Sequence, residues 1–176
     1  YVPRQVNEDR MSVDSFKYLP KSFRPMFEDV DIEVEGAVWA PFEKPLSEAT
    51  IAVLSSAGIF LKDSQQGFDM EREKREPTWG DPSWRAIPRD VGQDRIDAAH
   101  LHINTEHVKR DVGVALPLRA LAALEADGVI GRLAAENYSV MGYQENGCAV
   151  WQSQTGPEIV NRLRHEAVDA LILAPA

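Results

Sequence analysis

The sequence predicts one α/β domain built on a mostly parallel, doubly wound sheet with helices on both faces, preceded by an irregular N-terminal arm. Three observations carry this. The apolar, β-prone runs Thr50–Ser55 and Val168–Leu173 lack the polar alternation of a half-solvated strand and read as strands covered on both faces. Leu118, Leu121, Ala122 and Leu124 follow helical spacing, as do Ile159, Val160, Leu163 and Ala167. Helix-like and strand-like segments also alternate along the chain, the order that produces a parallel sheet.

The elements follow in order. Residues 1–45 carry Tyr18, Pro20, Phe23, Pro25, Phe27, Trp39, Pro41, Phe42 and Pro45 without periodicity, and read as an arm lying on the domain (46–176) or on a second subunit. Thr50–Ser55 is the first strand, and Ser55-Ser56-Ala57-Gly58 is the loop at its carboxyl end. Residues 62–94 are charged and interrupted by Pro77, Gly80, Pro82 and Pro88, which predicts a long excursion able to act as a lid. Its run Glu71–Glu76 reads as a solvated face without function. Ala98–Ile103 alternates histidines with apolar residues and predicts a second strand. Pro117 and Gly128 bracket the helix at Leu118–Ala126. Tyr138–Tyr143 predicts a third strand, Thr155 or Gly156 caps the next helix, and Val168–Leu173 is the last strand.

Composition excludes several classes. With 176 residues, 44% hydrophobic and 27% charged, the chain has the size and make-up of one folded domain. A formal net charge of -9 argues against a nucleic-acid partner, which needs clustered Lys and Arg. No apolar stretch approaches the roughly 20 residues that span a bilayer, and no signal peptide is evident. The single cysteine, Cys148, rules out an internal disulfide framework and fits a reducing, cytoplasmic setting. Phosphate loops, dinucleotide fingerprints and serine nucleophile elbows have no counterpart here.

The candidate site residues are few. His100 and His102 stand two apart on the expected strand, followed by Glu106 and His107, and would place two imidazoles on one face. Such groups transfer protons as catalytic residues or bind a divalent metal, for which His100, His102 and His107 are the candidate ligands; equally, one is a hydrogen-bonded structural histidine and the other a surface one. Ser55, Ser56 and Gly58 close the first strand, where a substrate carboxylate would meet hydroxyl and backbone donors, or they form a plain turn. Cys148 lies in the polar stretch Glu145–Ala149 and is either a reactive thiol or an incidental one. If the four expected strands share one parallel sheet, their carboxyl ends gather Ser55, Ser56, Asn104, Tyr143 and Ala174–Ala176, with His102 just inside.

Several stretches, in matching order, resemble the selenoprotein B family of glycine, sarcosine, betaine and D-proline reductases. They are Trp39-Ala-Pro with the strand into Ser55-Ser-Ala-Gly58; Gly80-Asp-Pro-Ser-Trp-Arg-Ala-Ile-Pro88; His100-Leu-His-Ile-Asn104; Gly128-Val-Ile-Gly-Arg-Leu-Ala134 leading to Met141-Gly142; and Thr155-Gly-Pro-Glu with the last strand. The resemblance implies reductive cleavage of a carbon–nitrogen bond in a small amine or amino-acid-like substrate, by a selenol or thiol, with dithiols as the electron source. It also implies partner subunits or a homo-oligomer. The family's selenocysteine or cysteine motif follows the strand that corresponds to Val168–Leu173, so that residue is expected beyond Ala176. The sequence opens on Tyr1, and two readings stand: a front part of a longer reductase component, or a shortened homologue that uses the scaffold otherwise. Three functions follow: substrate handling in a reductase, a metal-dependent enzyme on His100 and His102, or a non-catalytic binding or assembly domain.

Overall fold

A computed structural model describes Lys21 and residues 40–76, 79–144 and 148–176. Most of the predicted arm lies outside the described residues. Phe42–Ala176 forms one compact unit. Its strands are β1 (Thr50–Ser55), β2 (Ile59–Leu61), β3 (Trp84–Pro88), β4 (Ile96–Ala98), β5 (Arg132–Leu133), β6 (Glu136–Val140) and β7 (Ala170–Ala174). The helices are α1 (Met70–Arg75), α2 (Thr105–Arg110), α3 (Leu118–Ala126), α4 (Cys148–Val150) and α5 (Gly156–His165).

The expected α/β architecture with a mostly parallel sheet is what the chain forms. β1 lies at its centre. On one side it pairs in parallel with β7, from Ile51 opposite Ala170 to Ser55 opposite Ala174. On the other, its first half pairs with β5, Thr50 opposite Arg132, and its second half with β6, Ser55 opposite Ser139. Between the two partners, the Val53 N–H finds no strand, and the fully buried Asn137 Oδ1 accepts it at 2.9 Å. An orphaned backbone donor at this depth would cost about 1–3 kcal/mol.

Side-chain alternation divides the core between the two faces of the sheet. Ile51 and Val53 point with Leu133 toward α3, whose Leu118 and Leu121 are buried there. Leu54, Tyr138 and Val140 point the other way, toward Ile159, Leu163 and Trp151. Trp84 on β3 meets Tyr138 edge-on, ring centroids 5.8 Å apart. Fully burying each large aliphatic side chain contributes about 1.5–3 kcal/mol.

Three expectations are corrected. The strand read at Ala98–Ile103 ends at Ala98, and β4 pairs antiparallel with β2 in a separate two-stranded ribbon, Ile59 opposite Ala98. The alternating pattern fails to extend because Ala99 N–H turns to the Gly58 carbonyl and the His100 ring accepts the N–H of His102, a local side-chain bond that replaces a ladder bond. Within the predicted excursion 62–94, Trp84–Pro88 is a true strand, antiparallel to β6 from Trp84 opposite Val140 to Pro88 opposite Glu136. Its proline is tolerated because β3 is an edge strand and Pro88 stands at its end. Thr155 does not cap α5, since α4, a π-helical turn at Trp151–Thr155 and α5 follow one another directly; the Thr155 hydroxyl donates instead to the Pro82 carbonyl. The wider turn sits just ahead of Pro157, which lacks a helical N–H.

β7 borders the sheet. Leu173 is 67% exposed, and with Leu171, Trp151, Val160 and Leu163 it lines a groove of about 760 Å³ between β7 and α5 that contains no charged residue. No described helix is long and apolar enough to cross a membrane.

Two glycines with positive φ separate strain from crowding. A Cβ on Gly58 (φ 62°) would lie 2.1 Å from the Ala99 carbonyl oxygen, whereas one on Gly128 (φ 70°) meets nothing within 4 Å. Urea unfolding of Gly128→Ala is expected to show the backbone penalty alone, about 1–2 kcal/mol. Gly58→Ala is expected to lose about 1–3 kcal/mol beyond that, as overpacked sites do. Equal losses for the two would show that Gly58 and Ala99 are not in contact.

Candidate functional site

The carboxyl ends of β1, β6 and β7 converge with the segment that follows β4. Ser56 N–H donates to the Ala174 carbonyl at 3.1 Å, and Ala176 N–H to Ser56 Oγ at 2.9 Å. Ala57 bridges Met141, Gly58 N–H donates to the Val140 carbonyl, and Gly142 lies directly against Ser56. Ala99 N–H then ties the histidine segment to the Gly58 carbonyl at 2.9 Å. Of the residues expected at this edge, Ser56 meets Ala174 and Ala176 there, and the Tyr143 ring lies against His102.

Two others have structural work. Ser55 is fully buried, and its Oγ accepts the Ala57 N–H within the turn. Asn104 caps α2, its Oδ1 accepting from Glu106 N–H. Cys148 opens α4.

The histidines part in environment although they stand two residues apart. His100 is 8% exposed; its Nδ1 accepts the His102 N–H at 3.0 Å, which leaves the proton of the neutral ring on a buried Nε2. His102 is exposed, with its ring edge-on to His100 and tilted against Tyr143, each at 5.8 Å between centroids. Burial, helped by the neighbouring His102, pushes His100 below the usual histidine range. His107 is exposed on α2 with Nε2 3.5 Å from Asn104 Nδ2. Among the described residues, no three His, Cys, Asp or Glu side chains converge as a metal ion would need, so His100, His102 and His107 are not assembled as a ligand set.

Sequence reasoning missed Glu73. The charged run was expected to face solvent, yet Glu73 is 5% exposed and its Oε1 accepts the Asp81 N–H at 3.1 Å. Asp81 in turn accepts from Asp69 N–H and from the Ser83 N–H and hydroxyl, and its carbonyl accepts from Gln144 Nε2. Burial raises the Glu73 carboxyl above the usual range, with Asp81 adding to the rise while its N–H and nearby His102 oppose it. Phe68, buried two residues before α1, is the one apolar signal in the sequence that this short helix packs inward.

The lowered proton affinity of His100 makes stability pH-dependent. The unfolded chain takes up a proton near pH 6.5 that the folded chain resists, so this contribution is full above about pH 6.5 and is lost as pH falls toward the lower folded value. Urea midpoints from pH 8 to 5.5 are expected to fall more steeply for the native chain than for His100→Asn, which keeps an acceptor near the Nδ1 position but cannot titrate. Parallel slopes would mean that His100 takes up its proton as readily folded as unfolded.

The same edge can be compared with known proteins. The family model for glycine/sarcosine/betaine reductase selenoprotein B matches residues 24–176. D-proline reductase subunit gamma of Acetoanaerobium sticklandii is 31% identical over 136 residues, 77% of this chain and 52% of that protein. Glycine reductase complex component B subunit gamma of Carboxydothermus hydrogenoformans is 31% identical over 134 residues, 76% of this chain and 29% of its own length. Betaine reductase complex component B subunit beta of Peptoclostridium acidaminophilum is 29% identical over 130 residues, 74% of this chain and 28% of that protein. The chain thus spans about half the length of the first relative and under a third of the other two. No solved structure matches it significantly. With the ordered motifs falling inside a match that covers the whole described domain, the chain belongs to the glycine/sarcosine/betaine reductase selenoprotein B family.

Proposed function

We propose that this chain is a substrate-handling component of a reductase complex that cleaves a C–N bond in a small amine or amino-acid-like substrate. The observation that carries the reading is the bond from Ala176 N–H to Ser56 Oγ, which fixes the carboxyl end of β7 against the turn that also anchors the His102 segment. A selenol or thiol, expected in this family just after that strand, supplies a nucleophile ionised near neutral pH. The overall change balances with a dithiol as co-reactant: one C–N bond and two S–H bonds become one C–H bond, a disulfide and the protonated amine.

The chain's own residues have distinct roles in this reading. His102, exposed at the edge, exchanges a proton with the departing nitrogen, a task that general acid–base groups accelerate by about 10²–10⁴-fold. Ser56 and Tyr143 border the space where the substrate lies. His100, kept neutral by burial, holds the His102 backbone through its Nδ1. The relatives are named as subunits and complex components, which supports partner subunits here as well. A second reading, assembly without chemistry, is favoured by the uncharged groove beside β7.

Reconstitution separates the two readings. The chain, combined with the other components of its reductase complex and a dithiol, is expected to release amine from glycine, sarcosine or betaine, or to open the ring of D-proline. His102→Gln is expected to lower kcat by about 10²-fold while the complex still assembles. Assembly without turnover of any of the four substrates would leave the assembly reading and remove the catalytic one.

A further inference from the structure

We propose that β7 is a dimerisation strand: two copies of this chain pair their β7 strands antiparallel about a two-fold axis at Ile172, and Leu173 of each copy lies over the uncharged groove that the two then share. The pairing is independent of the reductase chemistry and makes a second copy the occupant of this margin.

The strand is symmetric in its own sequence. Ala170-Leu171-Ile172-Leu173-Ala174 reads identically in both directions, so antiparallel pairing centred on Ile172 sets leucine opposite leucine and alanine opposite alanine, with no mismatch in size. A two-fold axis normal to the sheet keeps each face with its like. Leu171 and Leu173 line the groove, and Ile172, one residue out of phase, points to the other face. The main chain agrees. The Ala174 carbonyl is directed to β1, where it accepts Ser56 N–H at 3.1 Å; backbone groups of successive residues alternate in direction, so those of Leu171 and Leu173 point away from β1. Among the described residues, β1 is the one strand that β7 pairs with. Antiparallel pairing turns the outward groups of Leu171 and Leu173 on one another at each side of the axis. Ile172 then faces its symmetry mate as a non-hydrogen-bonded pair, about 4.5 Å apart between Cα atoms.

Charge favours this margin over the rest of the described surface. Copies that each carry a formal net charge of -9 repel, and a two-fold contact through a charged patch would add to that by bringing each residue near its own kind. In a chain with 27% charged residues the groove along β7 is lined by none, whereas four other clefts each carry at least one charged side chain. Asp169, the charge next to β7, falls opposite Pro175 of the second copy and is already held by Lys44 and by the Thr50 N–H. Pairing covers the exposed apolar side chains of Ile172 and Leu173. At the far edge of the sheet, β3 carries Arg85 and Pro88, residues that discourage strand addition. Association through β7 therefore closes at two copies.

Sedimentation velocity on the full chain tests the pairing. A dimer is expected at micromolar concentrations, and Leu173→Lys is expected to raise its dissociation constant by about tenfold or more, because each copy then sets a charge over the shared groove. Cross-linking in a Cys148→Ser background reads the register. Ile172→Cys is expected to form an intermolecular disulfide on mild oxidation, since Cα atoms about 4.5 Å apart lie within the range such a bond needs. Leu171→Cys alone is expected not to, whereas Leu171→Cys mixed with Leu173→Cys is, because those two positions face each other across the axis. A monomer at every concentration overturns the proposal and gives the margin to another occupant, a different subunit or a further stretch of polypeptide. A dimer that Leu173→Lys leaves unchanged, or one that cross-links through Leu171→Cys alone and not through Ile172→Cys, overturns it as well. Should Leu173→Lys fail to fold, the cysteine pairings decide. None of these readouts involves turnover, so the outcome stands apart from whether the chain supports reductase activity.

Discussion

The backbone of β1 exchanges hydrogen bonds with β5, β6 and β7, and the turn that leaves its carboxyl end is pinned by three further segments. Gly58 makes this arrangement compatible with covalent geometry. Only a residue without a Cβ can take positive φ there and still let the Ala99 carbonyl approach. The Gly58 N–H, donating to the Val140 carbonyl, binds the two-stranded ribbon to the main sheet, and the Gly58–Ala99 contact carries with it the segment that bears both histidines. The site is thus assembled by main-chain bonds at strand ends, and its side chains inherit their positions from the sheet.

How far this could be read from the sequence depended on the range of the interactions involved. β1, α3 and most of β7 carry their own signals, because continuous apolar runs and helical spacing report burial directly. β3 was hidden by Pro88 and by Gly80 and Pro82 just before it, which mark loops unless the strand lies at an edge. β5 spans two residues and has no periodicity to detect. The π-helical turn before α5 likewise leaves no local signature, so a cap was expected where the chain was already helical.

The site was legible in part for the same reason. Ser56 and the Ala174–Ala176 end meet because the parallel β1 and β7 end together, whereas His102 reaches Tyr143 from a segment that leaves an antiparallel ribbon. The different fates of His100 and His102 were not legible, since the strand expected to carry them ends at Ala98 and a side-chain bond to the backbone bends the segment instead. Glu73 was invisible because a short charged run reports nothing of a turn eight residues away that receives its carboxylate.

The uncharged border along β7 and α5 has a consequence for how the chain behaves in solution. Two forces would act between copies: repulsion from a formal net charge of -9, and adhesion at the apolar groove beside β7. The first reaches only about 8 Å at physiological ionic strength and about 30 Å in dilute salt, while the second is indifferent to screening. Association through this margin is therefore expected to grow with added electrolyte, which shortens the reach of the charge repulsion, and to fade in dilute buffer.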